Sequence, residues 1–336
     1  MDNLKEVLNK FKNKRILVIG DIMLDKFTWG KVERINPEQP TAHIIKVEKE
    51  TYRLGGAANV ANNISSLKAR CCLFGVIGNG MYGNKIKELC AEKGIKLKAF
   101  YNKRPTLVKQ RIIAHGHQIN RLDFGEEILK EIEPAIKNQI KKDLENELNN
   151  NDYDFIILSD YNKKLFNKEL SNEIIYLANN KKIPIHVDPK PQNIDFFKNC
   201  TVISPNKKEA EIITGIKYNN GEDVLIKMAK KLSEIVNSKY VIITCGKDGV
   251  FSYDIKKKEY LLINTKAREV ADITGAGDTF AASFPLALSS GESLFNAVKL
   301  ANYASGIVVE KVGTALPTIK EIIKRIKQDN VQDNNI

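Results

Sequence analysis

The chain has 336 residues and a formal net charge of +12, with 43% hydrophobic and 28% charged residues. This length suits one large α/β domain or two modest ones, and the composition is that of an ordinary globular protein. No apolar run approaches the roughly 20 residues that a membrane-spanning helix needs, and segment 1–14 lacks the apolar centre of a signal peptide, so we expect a cytoplasmic protein with no membrane partner.

The positive charge comes from lysines that are spread along the whole chain and form no basic block interleaved with aromatic residues. Since there is no zinc-finger or RNA-binding signature either, we expect no nucleic-acid partner. A lysine-rich surface also suits phosphorylated small molecules. The five cysteines include no C-x-x-C pair, which indicates reduced thiols.

The first apolar run, 15–19, ends in Gly20-Asp21 and is typical of a buried strand in a parallel sheet. Ligands of open α/β sheets bind at the carboxyl ends of the strands, so we expect Asp21 and Asp25 at the edge of a site. Asp21 is explained equally well as a turn residue. Carboxylates suit sugars because they accept hydrogen bonds from two hydroxyl groups.

Two β-rich segments, 27–49 and 106–124, lie on either side of a helical pattern that opens at Gly55-Gly56-Ala57-Ala58-Asn59. The glycines allow a bound sugar to approach the backbone closely, and Asn59 can both donate to and accept from a hydroxyl group.

From residue 131 onward, helical patterns alternate with apolar runs that end in polar residues or glycine, at 155–161, 182–190, 201–206 and 240–246. This alternation predicts an α/β fold with one doubly wound, mostly parallel sheet. Because no linker interrupts the pattern, we expect residues 1–330 to form a single domain, followed by a disordered tail at 331–336.

A small-residue turn, Gly275-Ala276-Gly277, precedes Asp278 and an apolar helical pattern. Such a turn directs free N–H groups outward, and the helix dipole adds partial positive charge, which makes an anion site. An ionised Asp278 beside it can accept a proton, as phosphoryl transfer to a hydroxyl group requires. Taken alone, the motif fits a glycine-rich turn with Asp278 as a helix cap equally well.

Segments 272–280 and 55–61 together resemble two signatures of the ribokinase-like carbohydrate kinases, also called the phosphofructokinase-B family. The resemblance covers about residues 14–325. It implies a ribokinase-like fold in which segments 27–49 and 106–124 form a small β-sheet lid over the sugar. It also implies ATP and Mg²⁺ as cofactors, with transfer of the γ-phosphoryl group in line.

The resemblance also assigns roles to individual residues. Asp278 would accept the proton of the attacking hydroxyl, beside the backbone N–H groups of Gly275, Ala276 and Gly277. The residues that would contact the sugar are Asp25, Gly55, Gly56 and Asn59. The residues that would lie near the nucleotide are Asn206, Glu209, Thr244, Gly246, Lys247 and Asn302. Asp272 and Thr274 match positions that often bind a monovalent cation such as K⁺.

Further segments resemble the heptose-phosphate kinase branch of the family, at 20–25, 34–40, 55–61, 121–124, 158–161 and 187–190. Members of this branch phosphorylate D-glycero-D-manno-heptose 7-phosphate at the anomeric hydroxyl. The segment 39–43, Gln-Pro-Thr-Ala-His, departs from the branch pattern Pro-Val-Pro-Val, which leaves the exact sugar open. Arg111 and Lys190 are candidates to hold the substrate's phosphate, by charge and placement.

Some relatives in this branch carry a fused nucleotidylyltransferase domain, for which this chain has no room. We therefore expect a stand-alone kinase followed by a separate nucleotidylyltransferase. Another ribokinase-type sugar, sugar-phosphate or nucleoside kinase, or a ligand-binding relative without chemistry, remains an alternative. The β-rich segments carry apolar side chains on both faces, so one face would stay in water in a monomer, and we expect a homodimer joined through the lids.

Overall fold

The computed structural model of the chain describes residues 2–35, 39, 43–267, 270–311 and 315–333. Its strands, numbered in chain order, are β1 (Arg15–Gly20), β2 (Ile22–Ile35), β3 (His43–Gly56), β4 (Arg70–Ile77), β5 (Lys96–Tyr101), β6 (Leu107–Ala114), β7 (His117–Phe124), β8 (Phe155–Ser159), β9 (Ile185–Asp188), β10 (Val202–Ile203), β11 (Tyr240–Thr244), β12 (Val250–Asp254) and β13 (Glu259–Ile263).

The helices are α1 (Asp2–Lys10), α2 (Ala57–Ser66), α3 (Met81–Glu92), α4 (Pro134–Asn150), α5 (Lys168–Asn180), α6 (Lys207–Thr214), α7 (Glu222–Val236), α8 (Ala276–Ser289), α9 (Leu294–Val309) and α10 (Ile319–Asp333). None of these described helices has the length and apolar surface that crossing a membrane would require.

The large sheet has the strand order β13-β12-β11-β10-β9-β8-β1-β4-β5. Its strands pair in parallel except at β12 and β13, which add an antiparallel edge. Successive side chains of a strand point to opposite faces. In β1, Ile16 and Val18 join the core with α2, α8 and α9, whereas Leu17 and Ile19 join the core with α4, α5 and α7. The predicted doubly wound, mostly parallel α/β sheet is confirmed.

A separate four-stranded sheet, which we call the lid, has the order β3-β2-β6-β7. Strand β2 pairs antiparallel with β3 and parallel with β6. The predicted segment 106–124 matches β6 and β7, but the predicted segment 27–49 is too short. Strand β2 already begins at residue 22, and strand β3 continues to residue 56. The ladder between them extends to the pair of Ile22 and Gly56.

Two segments singled out in the sequence, the predicted tail at 331–336 and the segment 39–43, are only partly described by the structure. The predicted tail, 331–336, is wrong for its first three residues, because α10 continues to Asp333. The amphipathic pattern that starts at Ile319 meets no glycine or proline that would end the helix. Residues 334–336 lie outside the described residues, as do residues 40–42 of the segment whose sequence departs from the heptose-phosphate kinase branch.

Candidate active site

Asp278 lies in the first turn of α8 and is 7% exposed. Two side chains from other elements hold its carboxylate. Asn59, on α2, donates from Nδ2 to Oδ2 at 2.7 Å, and Tyr161, just after β8, donates its hydroxyl hydrogen to Oδ1 at 2.5 Å. Both carboxylate oxygens are therefore held in fixed positions by donors from separate parts of the fold.

Burial raises the pKa of Asp278 to about 6, since desolvation disfavours the charged form. The hydrogen bonds from Tyr161 and Asn59 lower this pKa, and the nearby Asp25 raises it. A carboxyl group with such a pKa is ionised at neutral pH, yet it is more basic than an exposed aspartate. These are the properties of a general base.

Free backbone donors lie beside this base. Gly275 caps α8 with a φ of 85°, in the left-handed region that favours glycine. The N–H groups of Gly275 and Gly277 make no hydrogen bond within the part of the chain that the structure describes, whereas that of Ala276 donates to the carbonyl of Ile273 at 3.3 Å. Two of the three N–H groups predicted for the anion site are thus available to a ligand, and the third is already occupied.

A cavity of about 160 Å³ lies in front of Asp278. It is lined by residues from the carboxyl ends of several strands and from the starts of α6 and α8: Tyr161, Asp188, Lys190, Ser204, Asn206, Glu209, Thr244, Gly275, Gly277, Asp278 and Phe280. The structure therefore brings the predicted base, two of the predicted anion-site glycines and three of the predicted nucleotide-side residues to one place.

Asn206 and Glu209 form a reciprocal cap at the start of α6. Asn206 accepts from the N–H of Glu209 at 3.0 Å, and Glu209 Oε2 accepts from the N–H of Asn206 at 2.8 Å. The other oxygen of Glu209 accepts from Lys190 Nζ at 2.5 Å. Burial alone would lower the pKa of Lys190, but the carboxylates of Asp188 and Glu209 raise it. Lys190 thus lies on the predicted nucleotide side, already paired with an acid.

Asp188, at the end of β9, is a site residue that the sequence analysis missed. Its carboxylate makes no hydrogen bond to any described residue, and burial together with Glu209, Asp278 and Asp160 raises its pKa to about 8. Such a concentration of negative charge suits a divalent cation. The described residues contain no group of three or more His, Cys, Asp or Glu side chains placed to hold a metal ion. Mg²⁺ does not need one, since it usually takes one or two carboxylates together with phosphate and water.

Asp21 organises the loop that carries Tyr161. Its carboxylate accepts backbone hydrogen bonds from Tyr161 and Lys163 at 3.0 Å and from Leu165 at 3.3 Å. Burial raises its pKa to about 6. Of the two interpretations of Asp21, the geometry therefore favours the turn residue. Through this turn, Asp21 fixes the backbone from which Tyr161 reaches Asp278.

On the lid, Asp25 Oδ1 accepts from Arg111 Nη1 at 2.6 Å, and both side chains are largely buried. A Cβ atom on Gly55 would lie 2.9 Å from Asp25 Oδ2, so only glycine leaves that oxygen clear. Gly56 has a φ of 58°, and a Cβ there would lie 2.4 Å from the carbonyl oxygen of Asp21. The close backbone approach at Gly56 is therefore to the protein itself, whereas the prediction was a bound sugar.

Of the residues predicted for the nucleotide and the monovalent cation, five do not line the cavity in front of Asp278: Gly246, Lys247, Asp272, Thr274 and Asn302. Asn302 is buried and donates to the carbonyl of Asn264 at 2.8 Å. The N–H of Thr274 donates to Asp272 Oδ1 at 2.8 Å, within the turn before α8. Lys247 is exposed in a short 3₁₀ helix.

The chain is similar to known proteins along most of its length. The sequence model of the pfkB family carbohydrate kinases matches residues 13–321. The chain is 39% identical over 317 residues to the bifunctional protein HldE of Helicobacter hepaticus, covering 94% of this chain and 64% of that protein. It is 38% identical over 324 residues to HldE of Sulfurimonas denitrificans, covering 94% and 65%. The chain thus spans somewhat less than two thirds of the length of these relatives.

Two solved structures have the same fold at low sequence identity. Escherichia coli phosphofructokinase-2 in complex with substrates and products superimposes with a TM-score of 0.76 at 18% identity, covering 93% of this chain and 97% of that one. Arabidopsis thaliana ribokinase with ribose and ATP gives a TM-score of 0.71 at 18% identity, covering 94% and 99%. The predicted ribokinase-like fold with a separate small sheet is confirmed.

Proposed function

Because the chain belongs to the pfkB family of carbohydrate kinases, we propose that it transfers the γ-phosphoryl group of ATP to the anomeric hydroxyl of D-glycero-D-manno-heptose 7-phosphate. One observation carries the kinase chemistry: Asp278, held by Asn59 and Tyr161, lies beside the free N–H groups of Gly275 and Gly277. A proton acceptor and an anion site are thus adjacent at one end of the cavity.

The choice of sugar is supported by the segments that resemble the heptose-phosphate kinase branch, and by the identity to HldE proteins along more than nine tenths of this chain. Two of those segments, 158–161 and 187–190, carry Tyr161, Asp188 and Lys190, which line the cavity. The product would be the heptose 1,7-bisphosphate, and a separate nucleotidylyltransferase would act downstream of this reaction.

In the proposed reaction, the anomeric hydroxyl donates a hydrogen bond to Asp278. Each carboxylate oxygen has two lone pairs, so Asn59 and Tyr161 leave room for this third donor. The hydroxyl oxygen attacks the γ-phosphorus as its proton passes to Asp278, and the bond from the γ-phosphorus to the bridging oxygen of ADP breaks. The N–H groups of Gly275 and Gly277 stabilise the negative charge on the transferred group.

Asp188 and Glu209 are the residues that would hold Mg²⁺, Asp188 through its unpartnered carboxylate and Glu209 through the oxygen that Lys190 now occupies. When bound, the ion would neutralise charge on the phosphates of ATP. A K⁺ site at Asp272 and Thr274 stays a prediction, because the contact between these two residues lies within one turn and does not line the cavity.

The test is a panel of acceptors with ATP and Mg²⁺: D-glycero-D-manno-heptose 7-phosphate, fructose 6-phosphate, ribose and adenosine. We expect ADP release to be fastest with the heptose phosphate, and phosphorus NMR to show an anomeric phosphate in the product. The Asp278→Asn variant should bind ATP, but its turnover should fall by roughly two to four decades, which is the usual contribution of a general base to the rate. Faster turnover of another acceptor, or near-normal turnover in the folded variant, would contradict the proposal.

A further inference from the structure

We propose that Arg53 and Lys109 of the lid bind the phosphate group that the acceptor sugar already carries. The inference rests on the proposed function, since it concerns the sugar side of the same site. It assigns this role to two residues that the sequence analysis did not consider.

The strand pairing places the two cations on either side of Asp25. Asp25 on β2 lies opposite Arg53 on β3 and opposite Lys109 on β6. Residues that face each other across neighbouring strands project from the same face of a sheet, about 5 Å apart. Arg53, Asp25 and Lys109 therefore form one row across three strands of the lid, and Arg111 lies two residues beyond Lys109 on the same face.

This face of the lid is directed toward the catalytic residues. Lys109 Nζ lies 5.8 Å from the centre of the Tyr161 ring, and the hydroxyl group of that ring donates to Asp278. One tyrosine side chain thus contacts both the cation and the base. A sugar of six or seven carbons with the reacting hydroxyl at one end would present the phosphate at its other end toward this cation.

Direct ion pairs balance only part of the charge on this face. Arg111 pairs with Asp25. Within the described part of the chain, neither Lys109 nor Arg53 forms a salt bridge. The guanidinium of Arg53 lies 5.0 Å from the centre of the Phe27 ring. On β7, Asp123 lies opposite Lys109 and pairs with Arg121, which lies opposite Arg111. With this pair included, four cations on the face surround two carboxylates and leave an excess positive charge of about two, which matches a phosphate monoester dianion.

The environment of Lys109 supports an anionic ligand. The side chain is half-buried, and burial together with the nearby Lys163 ammonium lowers its pKa more than the carboxylates of Asp25, Glu126 and Asp123 raise it. A bound phosphate would favour the charged form and raise this pKa. Arginine offers a planar fork and lysine a compact charge, which is a common combination around phosphate groups.

Lys190, a candidate in the sequence analysis, is less suited to this role. It pairs with Glu209, and its pKa is raised by Asp188 and Glu209, so its charge is already compensated within the cavity in front of Asp278. Arg111 is likewise compensated by Asp25. Removing Arg53 or Lys109 therefore tests the proposal more directly than removing either of the earlier candidates.

The experiment compares Arg53→Gln and Lys109→Gln with the wild-type protein by isothermal titration calorimetry. The ligands are two matched pairs: D-glycero-D-manno-heptose 7-phosphate with the free heptose, and mannose 6-phosphate with mannose. We expect the wild type to prefer the phosphorylated member of at least one pair. Each variant should weaken binding of that member roughly ten- to hundredfold and leave binding of the free sugar and of ATP nearly unchanged.

Lys46→Gln is the matched control, because Lys46 belongs to the same sheet but is exposed and pairs with Glu33 at 3.2 Å. This control should bind like the wild type. A merely structural role for Arg53 or Lys109 would weaken both members of a pair equally, and that result would overturn the proposal. A wild type that shows no preference for phosphate in either pair would also overturn it.

The calorimetry is independent of turnover. If the wild type binds sugar phosphates through Arg53 and Lys109 but does not phosphorylate the heptose phosphate, the proposed function fails and the phosphate site stands. If it phosphorylates the heptose phosphate and both variants keep the wild-type preference, the kinase assignment stands and the phosphate site fails.

Discussion

Tyr161 donates its hydroxyl hydrogen to Oδ1 of Asp278, and its backbone N–H donates to Asp21 at 3.0 Å. One residue thus connects the end of β1 to the start of α8, two elements that are distant in sequence. Desolvation raises the pKa of Asp278 and this hydrogen bond lowers it, so Tyr161 helps to set the pH at which Asp278 is ionised.

The first prediction concerns the pH dependence of the wild-type enzyme. Asp278 must be ionised to accept a proton, and its pKa is raised to about 6. We therefore expect kcat/KM to fall about tenfold for each unit of pH below about 6, which initial rates at constant ionic strength would measure. A rate that stays constant down to pH 4.5 would contradict the assignment of Asp278 as base.

Tyr161→Phe should move this acidic limb to higher pH. The variant loses a hydrogen bond that favours the ionised carboxylate, so the pKa of Asp278 should rise by roughly one unit. The same pH series would measure the shift. Tyr153→Phe is a matched control, because buried Tyr153 donates to Glu147 at 2.7 Å and does not line the cavity in front of Asp278. An equal shift in both variants would show that Tyr161 does not act on Asp278 directly.

Asp278→Asn should stabilise the folded protein at neutral pH. A raised folded-state pKa means that the unfolded chain ionises first, so the wild type loses stability as the pH rises from about 4 to about 6. Replacing the acid removes that cost. The free energy of unfolding of the variant should exceed that of the wild type by up to roughly 3 kcal/mol above pH 6 and by almost nothing below pH 4. Urea unfolding at pH 7.5 and pH 4 would measure the difference. A variant that is equally or less stable at pH 7.5 would contradict this prediction.

Asp188→Asn should raise the Mg²⁺ concentration needed for half-maximal turnover by about tenfold or more, because one of two candidate carboxylates is lost. The KM of the sugar should change little. Turnover titrated with Mg²⁺ at saturating ATP would measure both values. Asp195→Asn serves as a control, since Asp195 is also acidic but does not line the cavity. Unchanged dependence on Mg²⁺ in the Asp188 variant would remove that residue from the metal site.

The predicted homodimer can now be tested at specific positions. Ile44 on β3 and Ile112 on β6 are half-buried, whereas on strand β7 Ile119, Leu122 and Phe124 are 46%, 39% and 44% exposed. Exposed apolar side chains on an edge strand favour pairing with a second copy. Leu122→Asp should therefore give monomers, measured by sedimentation velocity at micromolar concentration. A wild-type protein that sediments as a monomer would contradict the prediction.

The sequence predicted the layers of the fold, because buried parallel strands have sequences of short apolar runs that alternate with helical patterns. It did not predict how the lid strands pair. The parallel ladder between β2 and β6 joins two segments about 80 residues apart, and alternating apolar residues carry no information about which strands become neighbours.

The sequence predicted only part of the site, because contacts between distant elements decide the rest. Asp278 and Asn59 were each expected in the site, but the hydrogen bond between them spans 219 positions in the sequence and follows only from the packing of α2 on α8. Tyr161 and Asp188 were missed as functional residues. Both residues lie at the carboxyl ends of predicted strands, where ligands of open α/β sheets bind. The same rule had led to Asp21 and Asp25, so it could have identified Tyr161 and Asp188 as well.

The continuity of the backbone between the large sheet and the lid has a mechanical consequence. Strand β2 has 14 residues, or about 45 Å of extended chain. Its end next to the large sheet is fixed by the pairing of Ile22 with Gly56. A bend of about 10° there would carry the far end through about 8 Å but Asp25 through less than about 2 Å. Asp25, which we propose contacts the sugar, would therefore keep its place while the far end of β2 moves.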